Sequence, residues 1–257
     1  MKTTERNITR RIIDEVAGLD RLKTRRQSGL FKAEGTKCVL DTIPHFMLKA
    51  MYATPDWLAE HPEWTDRAIE TSRGELSKMS SLSTPADVIA VMEIPEYKMR
   101  EDLAENNIVL ALDTIQDPGN LGTIIRVADW FGIEDIICSR ETADCFSPKV
   151  IQSTMGSISR VRVHYCELPA TIKTLSRDGR IPVYGTFLDG RNIDACRLSQ
   201  AGIIVIGNEG NGISHEVEAV VSERLTIPSY PTGRATAESL NAAVATAITV
   251  SKFRASR

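Results

Sequence analysis

The stretch GIIVIGNEGNGIS (Gly202–Ser214), continued by RLTIPSYPTGRATAESLNAAVATA (Arg224–Ala247), decides how the chain is read. An apolar run, Ile203 to Ile206, ends in Gly207-Asn208-Glu209-Gly210-Asn211-Gly212. A second run, Leu225 to Ile227, ends in a loop holding Pro228, Pro231 and Gly233. Ser239-Leu240-Asn241 then opens an Ala-rich segment with helical character. Two buried strands, each ending in a Gly- or Pro-rich loop that feeds a helix, are the pattern of an open parallel sheet. In such sheets small molecules bind at those loops.

The glycines at 207 and 212 have the spacing of a phosphate-binding loop, but Ile213-Ser214 stands where Lys and Ser/Thr would be needed. Without the Lys there is no cation for the outer phosphates. A dinucleotide fingerprint fails as well, because His215 occupies the place of its third glycine. Two readings stay open. Residues 207–212 either close a strand as a plain turn, with Glu209 on the solvated rim, or bring backbone N–H groups close to a ligand beside that one carboxylate.

Working outward, residues 107–185 repeat strand, Gly/Pro loop and helix. Strands are expected at Ile108–Leu112, Glu134–Cys138, Val161–Tyr165 and Ile181–Gly185, and helices at Leu121–Phe131, Pro148–Thr154 and 168–178. This alternation predicts an α/β domain with a parallel sheet and helices on both faces. Asn120 stands where a helix N-cap is expected. At 100° per residue, Leu121, Ile124, Ile125, Val127, Ala128 and Phe131 form one apolar arc, and Arg126 falls outside it toward solvent. On local grounds Asn120 is fully explained as a cap and Arg126 as a surface residue.

The first part of the chain reads as a small α/β domain over residues 1–95, joined by a polar linker at 96–106 to the domain at 107–257. Apolar positions Ile8, Ile12, Val16, Leu19 and Leu22 predict one or two amphipathic helices, residues 36–50 look helical until Pro44, and Asp87–Met92 is a strand. The chain carries a net charge of −3. Residues 1–37 nevertheless hold ten Lys/Arg (Lys2, Arg6, Arg10, Arg11, Arg21, Lys23, Arg25, Arg26, Lys32, Lys37) against five acids, a basic end on an acidic body. That asymmetry fits phosphate-backbone binding as well as an Arg-rich solvated helix face. Arg10, Arg11, Lys23, Arg25, Arg26 and Lys32 are the candidate RNA contacts.

At 257 residues, 42% apolar and 25% charged, the chain is an ordinary globular one with no apolar run of membrane-spanning length. The N-terminal MKTTERNITRR has no apolar signal segment, so a cytoplasmic location is expected. The five cysteines and four histidines show no metal-ligand spacing, and no metal is expected.

Three pieces stand in order: Asn120-Leu-Gly-Thr-Ile-Ile-Arg126, Ile206-Gly-Asn-Glu209-Gly-Asn-Gly212-Ile-Ser, and Ser239-Leu-Asn241 at a helix start. Together they resemble the SpoU (TrmH-like) branch of the SPOUT RNA methyltransferases, over about residues 107–254. Gly29-Leu30-Phe31 through Glu34-Gly35, and Leu82-Ser83-Thr84-Pro85 before a strand, resemble more loosely the substrate-binding domain found in front of many members.

The resemblance implies a C-terminal trefoil knot, a homodimer, S-adenosyl-L-methionine as cofactor and a ribose 2′-hydroxyl of RNA as methyl acceptor, with rRNA favoured and tRNA the open alternative. It implies no membrane partner and no metal. Carried over, the catalytic set is Arg126, Asn120, Glu209, Ser239 and Asn241. The cofactor would be held by Thr186, Phe187 and Leu188, by Gly207, Asn208, Glu209, Gly210 and Gly212, and by Ile227, Ser239 and Leu240. Arg126 is the family-matched group for the acceptor, either as a base or in positioning. The insert SYPTGRATAE (229–238), with Tyr230, Gly233 and Arg234, is longer than in many members. It either contacts RNA or cofactor or forms a plain surface loop. The alternative to an enzyme is a catalytically inactive RNA-binding protein of the same fold.

Overall fold

The computed structural model describes residues 8–231 and 237–255. It divides into two units, each with its own sheet. The first comprises residues up to Glu96 together with Phe146–Ser159, and the second comprises Tyr97–Cys145 and the chain from Arg160.

In the first unit, α1 (Arg10–Gly18) starts at Thr9, whose side chain accepts from the Ile12 N–H. α2 (Leu22–Ser28) ends at Gly29 and leads into β1 (Leu30–Glu34). α3 (Thr36–Thr42) follows, and the chain then turns at Ile43–His45 into β2 (Leu48–Ala53). The helix expected from residue 36 ends just before Pro44, which lacks the N–H that would continue it. α4 (Pro55–Glu60), β3 (Ile69–Glu70), α5 (Arg73–Met79) and β4 (Val88–Glu93) complete the stretch. A reciprocal Ser72/Glu75 capping box starts α5. The sheet runs β1-β4-β2-β3, antiparallel except for the β2–β3 pair. Val16 and Leu19 of the first helical segment pack with Leu76, Met79, Ile89 and Val91 to form its core.

The second unit holds six parallel strands in the order β10-β8-β9-β5-β6-β7. In chain order its elements begin with β5 (Ile108–Leu112), α6 (Pro118–Trp130) and β6 (Asp135–Cys138). The chain then leaves for α7 (Pro148–Thr154), which belongs to the first unit. It returns with β7 (Arg162–Tyr165), α8 (Leu168–Leu175), β8 (Val183–Asn192), β9 (Gly202–Ile206), α9 (His215–Glu218), β10 (Glu223–Thr226) and α10 (Ala242–Ala255). Every residue of β5, β6 and β9 is buried, as a parallel sheet covered by helices on both faces requires. From β5 the strands run outward through β6 to β7, and β9 lies on the other side of β5. The crevice at the carboxyl ends of β5 and β9 is therefore a topological switch point.

Two boundaries differ from the sequence reading. The helix at 148–154 belongs to the first unit, because Phe146 packs its ring 4.9 Å from Phe31 and Gln152 donates to the Glu34 carbonyl at 3.2 Å. Residues 97–106 are not a free linker. Leu103 and Ala104 are buried in the core of the second unit, with Val109, Ile137 and Ile172.

At the amino ends of β6 and β7, Asp135 is held by Arg162 Nε at 2.8 Å, Arg162 Nη2 at 2.7 Å and His164 Nε2 at 2.9 Å. Burial alone would push its carboxyl up, but the Arg162 and His164 hydrogen bonds outweigh burial and hold it down at about 2. A depressed folded pKa stabilises above the unfolded value of 3.8 and loses that contribution as pH falls through about 2. Asp135→Asn should cost on the order of 2 kcal/mol at pH 7 and almost nothing near pH 2. Urea unfolding at pH 7, 4 and 2.5 measures this, and an equal loss at every pH would refute it. Among the described residues, no helix is long and apolar enough to cross a membrane.

Candidate active site

The loops at the switch point are tied together from below by Asp113, 3% exposed at the end of β5. Its Oδ2 accepts from the Ser214 N–H at 2.7 Å and its Oδ1 from the Thr114 hydroxyl at 3.1 Å. Thr114 is left-handed, at φ 59°, and its carbonyl accepts from Asn208 Nδ2 at 2.8 Å. Asn208 also organises its own loop. Its main chain pairs both ways with Gly212 at 2.9 Å, and its Oδ1 accepts from Gly210 N at 2.8 Å and Asn211 N at 3.2 Å. A Cβ at Gly207 would lie 2.4 Å from the Gly212 carbonyl carbon, so only glycine closes this turn. Asp113→Ala orphans the Ser214 N–H and should cost about 1–3 kcal/mol. A thermal melt reads that loss, and an unchanged midpoint would contradict it.

On this loop stands a directional chain of amides. Asn241 caps α10, its Oδ1 accepting from Ala243 N at 3.0 Å and Val244 N at 3.3 Å. That leaves Asn241 Nδ2 to donate to Asn120 Oδ1 at 2.8 Å. Asn120 Nδ2 must then point the other way, and it donates to the Glu209 carboxylate. Ser239 Oγ donates to the Glu209 carbonyl at 3.4 Å. Residues up to 121 positions apart in sequence thus meet within one hydrogen-bonded line. Asn120 is not the helix cap that the sequence suggested. Asp117 caps α6, accepting from the Asn120 N–H at 2.8 Å, and Pro118 takes the first helical position. The Asn120 side chain is thereby released for the site.

Arg126 is exposed on α6, as its angular position predicted. It is not part of the amide chain. Six residues from Asn120 place it about 9 Å further along the helix axis and on another face. Among the described residues, no hydrogen bond or ion pair engages its guanidinium. Trp130, one turn beyond it, is 85% exposed.

The expected cofactor loop at 186–188 lies inside β8 rather than after it. Tyr184 and Gly185 pair with Glu223 and Arg224, and Arg191 and Asn192 pair with Leu225 and Thr226. Residues 186–190 therefore bulge out between two consecutive positions of β10. Thr186 Oγ1 donates to the Val205 carbonyl at 3.3 Å, and Leu188 is 80% exposed. Ile227 and Leu240 sit at the two ends of the segment between β10 and α10, half-buried and exposed. Gly233 and Arg234 lie outside the described residues.

Residues 107–251 match the model of the SpoU rRNA Methylase family. The chain belongs to that family. It is 32% identical over 235 residues to the 23S rRNA (guanosine(2553)-2′-O)-methyltransferase RlmP of Bacillus subtilis, covering 90% of this chain and 91% of that one. A TrmH-family structure from Porphyromonas gingivalis is 36% identical, with a TM-score of 0.85 over 96% of this chain and 98% of that one. The AdoMet-bound rRNA methyltransferase of Sinorhizobium meliloti is 28% identical, with a TM-score of 0.81 over 96% and 95%.

In this SpoU-family chain, residues 11–90 match an MRM3-like substrate binding domain. Of the basic candidates there, Arg10, Arg11, Lys23 and Arg26 are exposed. Arg25 and Lys32 are not available to RNA, contrary to the sequence reading. Arg25 is 2% exposed and its Nη1 donates to the Leu19 carbonyl at 2.6 Å. Lys32 is 1% exposed, between Asp20 Oδ1 at 2.9 Å and Glu34 Oε1 at 3.3 Å. Both charges serve the fold, being buried and paired. Lys2 and Arg6 lie outside the described residues.

Proposed function

We propose that this protein transfers the methyl group of S-adenosylmethionine to a ribose 2′-hydroxyl of 23S rRNA. One observation carries the reading. A SpoU-family domain sets Asn120, Glu209 and Asn241 in a single hydrogen-bonded line at its switch point. An inactive RNA-binding protein would have no use for that line, and the relative matching nine-tenths of the chain bears the name of a methyltransferase.

The residues fit the cofactor. The loops after β9 and β10, and the bulge within the adjacent parallel strand β8, offer backbone groups to a small polar molecule. Turn closure at Gly207 shapes one wall, Thr186–Leu188 a second and Ile227 with Ser239–Leu240 the third. When bound, the cofactor supplies a methyl group made electrophilic by the adjacent sulfonium charge. The protein's task is to bring the 2′-oxygen in line with it. Arg126 performs that task. A guanidinium keeps its proton at working pH, so it is a poor base and a good positioning cation. It grips an RNA phosphate and stabilises negative charge on the oxygen as the hydroxyl proton passes to solvent water. Asn120 and Asn241 hold the Glu209 loop in shape.

We further infer the family's trefoil knot, a homodimer and a cytoplasmic place of action. α10 packing against α6 and β9 supports the first, and the exposed Leu240, Val244 and Trp130 support the second. Light scattering should give twice the 28.4 kDa chain mass, and a monomer would contradict the dimer.

Calorimetry should detect S-adenosylmethionine binding and no ATP binding. Mapping 2′-O-methyl positions in rRNA from cells with and without the gene should show one position lost. An unchanged map would overturn the proposed activity. Asn120→Asp sets a carboxylate against Glu209 while keeping the Asn241 bond, and should weaken cofactor binding more than Asn120→Ala. Equal affinities for the two variants would contradict the directional chain.

A further inference from the structure

One guanidinium stands at the root of the β8 bulge. Arg224 is the last β10 residue to pair before residues 186–190 leave the sheet, opposite Gly185. Its Cζ lies 3.6 Å from the centroid of the Phe187 ring. Its Nη2 donates to the Asp189 carboxylate and its Nη1 to the Glu218 carboxylate of α9. The ring it covers is not free to face a ligand. Phe187 packs on the core that holds Val205, Val217 and Val183, and a Cβ on Gly185 would fall 2.5 Å from the ring. Phe187 is thus pinned between the core and a cation. Thr226 Oγ1, donating to the Leu188 carbonyl at 3.3 Å, adds a second tie from the same strand.

The geometry points to Arg224 as a positioning residue for the cofactor, clamping the 186–190 bulge through one ring and two carboxylates. This inference rests on the reading above that the bulge forms a cofactor wall. A planar guanidinium can stack on a ring and fork to two carboxylates at once, which the point charge of a lysine does not match. None of these contacts involves Arg126 or the amide chain, so their loss acts on cofactor binding and not on the transfer step.

The test compares the wild-type protein with Arg224→Ala, Arg224→Lys and Asp189→Ala, measuring S-adenosylmethionine affinity by calorimetry and steady-state methylation of rRNA. Arg224→Ala is expected to raise KM and Kd for S-adenosylmethionine roughly 3- to 30-fold, the span open to a cation–π contact with partly screened ion pairs. kcat at saturating cofactor and KM for RNA should stay unchanged. Arg224→Lys should recover part of the affinity. Asp189→Ala keeps the ring contact on an exposed loop and should lose less. An Arg224→Ala protein that binds as tightly as wild type would overturn the clamp, and so would one whose kcat falls with KM unmoved. If the wild type itself binds no S-adenosylmethionine, the cofactor reading fails and this inference with it.

Discussion

Arg126→Ala should lower methyl transfer by about 10²- to 10⁴-fold, the range for losing a group that acts on the reacting proton or its charge. Cofactor affinity should not change, because Arg126 touches neither the 207–212 loop nor the amide chain. Stability should not change either. The side chain is exposed without a partner among the described residues, and such substitutions usually stay within about 0.5 kcal/mol. This combination separates Arg126 from every other candidate. Changing Asn120, Glu209 or Asn241 disturbs a shared hydrogen-bonded line, so fold and affinity move together with activity. Arg126→Lys tests the chemistry further, since it keeps the charge but loses the fork that grips a phosphate in two places. Single-turnover methylation at saturating cofactor reads the effect, and near-normal turnover in Arg126→Ala would remove this residue from the mechanism.

The second large effect is expected on RNA binding. Reversing Arg10, Arg11, Lys23 and Arg26 to Glu should weaken binding by about 10²-fold or more, and should flatten the salt dependence of log K by about 3. Cofactor binding should remain. These four side chains are exposed, and Arg10 and Arg11 hold only weak (i, i+4) pairs with Asp14 and Glu15. Arg25→Ala and Lys32→Ala should instead unfold the first unit, because each leaves buried partners behind: the Leu19 carbonyl in one case, Glu34 and the Met79 carbonyl in the other. A filter-binding titration at several salt concentrations measures the first, and equal affinity in the charge-reversed protein would refute it. Deleting the first 95 residues is a poorer experiment. It would strip α7 of β1 and leave Val150 and Ile151, which are buried, without cover.

Much of the fold was legible because parallel strands and their helices leave a local record. The runs at Ile108–Leu112 and Ile203–Ile206 read as buried strands and are wholly buried. The apolar arc of α6 put Arg126 outward by angle alone, and it is exposed. What failed was decided elsewhere in the chain. The helix at 148–154 has ordinary local features, and only the seat of Phe146 beside Phe31 assigns it to the first unit. Arg25 and Lys32 look like surface cations because a buried cation's partners, here Asp20, Glu34 and two carbonyls, are not written beside it in the sequence. Asn120 was misplaced for a smaller reason: Asp117-Pro118 is the better start signal, three residues earlier. Asp113, Thr114 and Arg224 carried no local signal, as each acts through a residue at least six positions away or through a neighbour's backbone.

The central claim is methyl transfer to a sugar oxygen, and one measurement addresses it directly. Purified protein is incubated with methyl-tritiated S-adenosylmethionine and 23S rRNA lacking its own modification, and the RNA is digested to nucleosides and separated. The label should appear in a single 2′-O-methylnucleoside, approaching one methyl per RNA molecule. Label in a base-methylated nucleoside, or no label in RNA at all, would contradict the account.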